Sequence, residues 1–168
     1  MAAGHSQGAS HMVLQWLRAC LDADQATRSG GEQQLAAASG TPGLCLTLAQ
    51  IATGAPSAVQ AGLEHGLRQL AGVVLKQHIR RHWTPENEAH FKPPQLEASE
   101  KEAVKTALSQ GLADPDSRLR TAVGVCISEI VTLDPNGWPQ LLHTLVQSVK
   151  FGDCRSNAGE RCHTERGP

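Results

Sequence analysis

Several groups of residues in this chain have the types and spacings that chemistry could use. Gly4-His5-Ser6-Gln7-Gly8 spells the G-x-S-x-G pattern of a hydrolase nucleophile. That serine works only where a buried strand enters a sharp turn and lifts it above a sheet. Three residues precede the pattern, too few for such a strand, so it reads as a chance match. Cys154, Cys162 and His163 could ligate a metal, but C-x7-C-H lacks the close pairs that present two thiolates from one turn. His78 and His82 stand four apart on one helical face, without the Glu and third ligand of an H-E-x-x-H site. They read as buried core or edge residues. Gly30-Gly31 is not followed by the Lys-Ser/Thr of a phosphate-cradling loop. No nucleophile, base and orienting group stand together. The expectation is no catalysis, no metal and no cofactor. What remains is a basic patch: Lys76 and Arg80, one helical turn apart, suit contact with an acidic protein surface.

The totals narrow the class further. The formal net charge is −1, which argues against nucleic acid or an anionic membrane as the main partner. Tyr is absent and aromatics make up 3%, while Ala, Leu and Gln abound, which favours helices over a β-sandwich. No apolar run approaches the ~18 residues of a membrane span. The N-terminus lacks the basic start and apolar core of a secretory signal. Cys20, Cys45 and Cys126 fall in apolar periodic segments, as reduced buried thiols do.

The elements that must position the basic patch are helices. Leu63, Leu67, Leu70, Ala71, Val74, His78 and Ile79 recur at three- and four-residue spacings and run on to His82 and Trp83. This predicts an amphipathic helix starting near residues 59–62, with Arg68, Gln69, Lys76, Gln77, Arg80 and Arg81 opposite. Trp83 should anchor its end in the core, and Phe91 should tether the following loop. Residues 1–12 are expected to be disordered. A first helix should run from about Val13 to Leu21, with Val13, Leu14, Leu17 and Leu21 inward. A second, about 25–39, should bury Ala26, Leu35 and Ala36 and be weakened by Gly30-Gly31. Thr41 as N-cap and Pro42 open a third, ended by Gly54. After a Pro-rich loop, Ser99 and Glu102 form a capping box for a helix that stops at Gly111. Leu119, Val123, Cys126, Ile130 and Leu133 line a sixth. Trp138, Leu142, Leu145 and Val149 line a seventh. Residues 152–168 have no period and read as a disordered tail.

Two turns share a signature. Asp22-x-Asp24-x-x-x-Arg28 and Asp114-x-Asp116-x-x-x-Arg120 lie 92 residues apart, about twice the ~40–47-residue period of HEAT and armadillo helix pairs. The acids should cap the second helix of a pair, with the arginine reaching an acid of its own or an adjacent repeat. The intervening copy, near 54–68, lacks the acids. The fold class is all-α: a HEAT/ARM-like superhelix of about three helix pairs and one further helix.

Residues 13–151 resemble the N-terminal domain of the importin-β (karyopherin-β) nuclear transport receptors, most of all the members like importin nine. The matching segments are EQQLAAAS at 32–39, PGLCLTLAQIA at 42–52, RQLAGVVLKQHIRRHW at 68–83, FKPPQ at 91–95, DPDSRLRTAVGVCISEI at 114–130 and WPQLLHTLV at 138–146. Their order and spacing carry the resemblance more than any one segment. It implies a HEAT solenoid whose first repeats bind the GTP-bound Ran GTPase on a concave face made by the second helix of each pair, about 25–38, 62–83 and 115–133. On those helices the implied contact residues are Gln33, Gln34, Lys76, Gln77, Arg80, Arg118 and Glu129. Lys76-Gln77 stands where the family commonly has Lys-Asn. Protein cargo would be held by later repeats, and the receptor would shuttle between cytoplasm and nucleus. Because family members continue for many more repeats, the chain is expected to be a fragment or truncated product. A general HEAT scaffold with no GTPase preference is the alternative.

Overall fold

The computed structural model describes residues 3–54, 64–143 and 145–146. Among these are six α-helices with described bounds, one 3-10 turn, further helical residues at 141–143 and 145–146 where the seventh helix was expected, and no strand. The helices are α1 (Ala3–Cys20), α2 (Gln25–Ala37), α3 (Leu44–Thr53), α4 (His65–His82), α5 (Ala98–Gly111) and α6 (Ser117–Leu133), with the 3-10 turn at Ala38–Gly40. Each pair packs on itself: α1 on α2, α3 on α4 and α5 on α6. First helices also stack on first helices, α3 on α5, and second on second, α4 on α6. Two layers of stacked antiparallel helices are the HEAT-like superhelix expected.

The shared core runs between the layers through Leu17, Leu48, Ile51, Leu75, Ile79, Leu108 and Ile130, all fully buried. Trp83 is fully buried at the end of α4, as expected of an anchor. The Nζ atoms of Lys101 and Lys105 lie 5.5 Å and 5.9 Å from its ring centroid, within cation–π range. Lys105 is itself buried and donates to Glu102 Oε1 at 2.6 Å and the Gly137 carbonyl at 2.5 Å.

The two acidic turns make matching hydrogen bonds. Asp22 accepts from the Asp24 N–H at 2.9 Å, and Asp114 accepts from the Asp116 N–H at 2.9 Å. Asp24 and Asp116 then cap α2 and α6, accepting from the N–H groups of Thr27 and Arg118, each at 2.8 Å. The arginines differ from expectation. Arg28 donates to the carbonyls of Asp22 and Ala23, and Arg120 to those of Asp114 and Pro115, so each staples backbone rather than an acid. The Asp114 carboxylate is reached instead by Arg68 of α4, whose Nε also donates to the Ala52 carbonyl at 3.2 Å.

Other expectations are corrected. Helix α1 begins at Ala3, so it extends through most of the stretch expected to be disordered, continuing outward from the packed Val13–Leu17 turn. Gly4–Gly8 lies inside this helix, with no strand or sharp turn at the serine. Leu21 falls beyond the helix end and is exposed. On α2 the contact face is Gly31 with half-buried Leu35, while Ala26 and Ala36 are exposed. A Cβ on Gly31 would lie 2.8 Å from the Trp16 carbonyl oxygen and 2.9 Å from Ala19 Cβ, so the glycine lets α1 and α2 approach. Thr41 does not cap α3. Gly43, at φ 84°, precedes Leu44, and the Glu100 carboxylate of α5 accepts from the N–H groups of Gly43 and Leu46 at 3.0 and 3.2 Å. The Ser99–Glu102 box does not form because α5 starts two residues earlier, at Ala98, with Glu97 at the N-cap position. Helix α5 does end at Gly111, but the glycine is its last helical residue, packed against Thr53 and Val123, and has no left-handed conformation. Beyond α6, Trp138 and Leu141 pack on the core, while Leu142 is 73% exposed. The seventh helix's Val149, the start expected for α4 near residues 59–62 and the tail at 152–168 lie outside the described residues.

Candidate functional interface

The second layer, α4 beside α6, carries most of the sequence-derived contact residues. Its spacing is set by close packing: a Cβ on Gly72 of α4 would lie 3.2 Å from Ala122 Cβ of α6. The Cys126 thiol donates to the Gly72 carbonyl at 3.3 Å, and burial pushes its pKa up to about 12. It is therefore a structural thiol rather than a nucleophile.

Across this seam Arg80 and Glu129 form a two-pronged ion pair, Nε to Oε1 at 2.7 Å and the second nitrogen to Oε2 at 2.8 Å. Lys76 Nζ approaches the same carboxylate at 3.9 Å. The hydrogen bonds from Arg80 outweigh burial and hold the Glu129 carboxyl below its ordinary value. Glu129 is 11% exposed, whereas Lys76 and Arg80 are 37% and 44% exposed. The basic face is thus pinned in place from below by an acid. Sequence spacing put Lys76 and Arg80 on one patch but could not reveal that Glu129 is their shared partner.

The remaining sites are more scattered. Gln77 is exposed one residue on from Lys76. Arg118 is exposed in the first turn of α6, eleven residues or about 16 Å of helix from Glu129. Gln33 and Gln34 are exposed on α2, which packs chiefly on α1. Sequence reasoning missed His65, whose Nε2 lies 3.5 Å from Asp116 Oδ2 and adds a second link between α4 and α6.

The chain end of α4 is closed by the loop that follows. The carbonyls of Arg80, Arg81, His82 and Trp83 have no partners within the helix. They accept from Asn87 Nδ2, Lys92 N, Leu96 N and Gln95 Nε2 at 2.7–3.3 Å. His82 adds a bridge, its Nδ1 3.0 Å from the Pro94 carbonyl and its Nε2 2.8 Å from the Ser39 hydroxyl. Because the carbonyl only accepts, Nδ1 donates to it, and in the neutral ring Nε2 accepts from Ser39. His78 packs against His82 with ring centroids 4.4 Å apart, and burial lowers its pKa to about 4. Both histidines therefore serve structure. Among the described residues, no group of three His, Cys, Asp or Glu could hold a metal, and no helix is long and apolar enough to cross a membrane. Cys154, Cys162 and His163 lie outside the described residues.

Stacked helix pairs with polar side chains displayed along one layer define a class: a HEAT-like helical solenoid with an extended face. Residues 31–114 match the importin-β N-terminal domain. Importin-11 of Mus musculus is 32% identical over 146 residues, covering 86% of this chain and 14% of the relative. Importin-11 of Homo sapiens is 31% identical over the same length and shares. Importin-9 of Drosophila melanogaster is 35% identical over 86 residues, covering 49% of this chain and 8% of that protein. The chain belongs to the importin-β family through its N-terminal domain. It spans 14% of the length of the Importin-11 relatives.

Proposed function

We propose that this chain is the Ran-binding part of a nuclear transport receptor, docking the GTP-bound form of the Ran GTPase on the layer of second helices. The match of residues 31–114 to the importin-β N-terminal domain carries this reading. The matched stretch contains α4 with half-buried Lys76 and exposed Gln77 and Arg80. Support from geometry comes from the α4–α6 seam, where the Glu129 ion pair holds Arg80 in a fixed orientation and so lowers the ordering cost of a contact. Gln33 and Gln34 on α2 and Arg118 on α6 would flank that centre. In this reading the chain is a receptor rather than an enzyme and uses no cofactor. It shuttles between cytoplasm and nucleus, with protein cargo held by repeats other than these.

Charge reversal tests the proposed contact. Lys76→Glu with Arg80→Glu should weaken binding of GTP-loaded Ran by about tenfold or more, because few residues carry most of an interface's energy. Arg80→Glu also faces Glu129, so a companion variant adding Glu129→Arg restores an ion pair across the seam. Both variants should keep the parent's helical circular dichroism. Unchanged Ran affinity in both would remove this patch from the interface.

A further inference from the structure

Beside the α4–α6 seam, the end of α4 and the loop after it enclose an open cleft of about 480 Å³, lined by Arg80, Arg81, His90, Phe91 and Lys92. Its chemistry is one-sided. Arg81 and Lys92 are exposed and make no side-chain hydrogen bond or ion pair among the described residues. The cleft is held open by backbone rather than by these charges. Lys92 N–H donates to the Arg81 carbonyl at 2.7 Å, and Phe91 N–H donates to the Asn87 carbonyl at 2.8 Å. The two cationic side chains are therefore fixed at the base and free at the tip. Half-buried Phe91 adds an apolar floor.

The rim already contains a ligand of this chemistry. The Glu129 carboxylate sits in a two-pronged bond on Arg80, within the electrostatic reach of His90. Arg80 of the lining thus already holds a carboxylate, while Arg81 and Lys92 hold none among the described residues. We propose that this cleft docks a carboxylate-rich segment of a protein partner, with acidic side chains on Arg81 and Lys92 and an aliphatic residue against Phe91. Arginine clusters beside an apolar floor are the recognised physics of acidic-motif binding. Nucleic acid is disfavoured because the chain's net charge is −1, without the basic excess that phosphate-backbone binding uses. The cleft borders the contact proposed for Ran through Gln77 and Arg80, whereas Arg81 and Lys92, which carry this inference, are outside that contact set.

The test uses the whole chain and a fluorescein-labelled peptide of Glu and Asp with a central Leu, followed by anisotropy. Arg81→Glu with Lys92→Glu should weaken peptide binding by about tenfold or more, whereas the charge-keeping pair Arg81→Lys with Lys92→Arg should stay within about threefold of the parent. The parent should also ignore the same peptide with its acids replaced by Lys. Neither reversed side chain loses an ion pair or hydrogen bond, so the variant should keep the parent's helical circular dichroism. The acid at the α4 C-terminus should bring only a small loss of stability, and GTP-loaded Ran binding should stay unchanged. Equal peptide affinity in the parent and the reversed variant overturns the proposal. So does tighter binding of a labelled single-stranded oligonucleotide than of the peptide.

Discussion

A methyl group added at residue 30 and one added at residue 31 meet different surroundings. Nothing lies within 4 Å of the first, while the second meets backbone atoms of α1 at 2.8 and 3.0 Å. Gly30→Ala should therefore stabilise the chain by up to about 1 kcal/mol through helix propensity alone. Gly31→Ala gains the same propensity but forces α1 outward, with a net loss of about 1–3 kcal/mol expected from overpacking. Urea denaturation of the two variants should move the midpoint in opposite directions. His78 gives a second single-residue outcome. Its pKa falls from 6.5 to about 4 because burial disfavours the charged ring, with smaller contributions from His82 and Arg81. Between those values the unfolded chain binds the proton and the folded chain does not. Stability should then be level above about pH 6.5 and fall as pH drops toward 4, by on the order of 2–3 kcal/mol. Melting temperatures across that range should show the slope, and His78→Leu should flatten it.

Helices in this chain are specified locally but capped from a distance. Both Asp-x-Asp turns, the apolar stripe of α4 and the stripe of α6 could be read because each depends on residues within a few positions of one another. The capping of α3 could not. Thr41-Pro42 has the right local chemistry, yet Glu100, 57 positions beyond Gly43, supplies the acceptor. Gly31 was misread for a related reason. A glycine that breaks a helix and one that admits a neighbour look alike until the neighbour is placed. The same limit applied at the interface: the helical spacing of Lys76 and Arg80 was visible, while their partner on α6 required the fold. If Glu100 is the cap, Glu100→Ala should cost about 1–2 kcal/mol and speed amide exchange at Gly43 and Leu46, with α5 itself less affected. Exchange lost uniformly from both helices would point to core disruption instead.

Across the whole molecule, stability and recognition divide between the two layers and the seam. First helices α3 and α5 supply much of the buried core, and second helices α4 and α6 turn charged side chains outward. Arg68 on Asp114 and Arg80 on Glu129 tie the second helix pair to the third near the two ends of α4. Leu142, Leu145 and Val146 expose an apolar surface after α6, at 73%, 37% and 46%. Such coupling keeps neighbouring repeats in register, which a partner spanning several of them requires. A scaffold of the same architecture without a GTPase preference would share all of these features. Equilibrium binding of this chain to Ran loaded with a non-hydrolysable GTP analogue and with GDP separates the two most directly. The Ran-receptor account predicts clear preference for the GTP form, lost in the Lys76→Glu, Arg80→Glu variant. Equal affinity for both forms, or none for either, would contradict it.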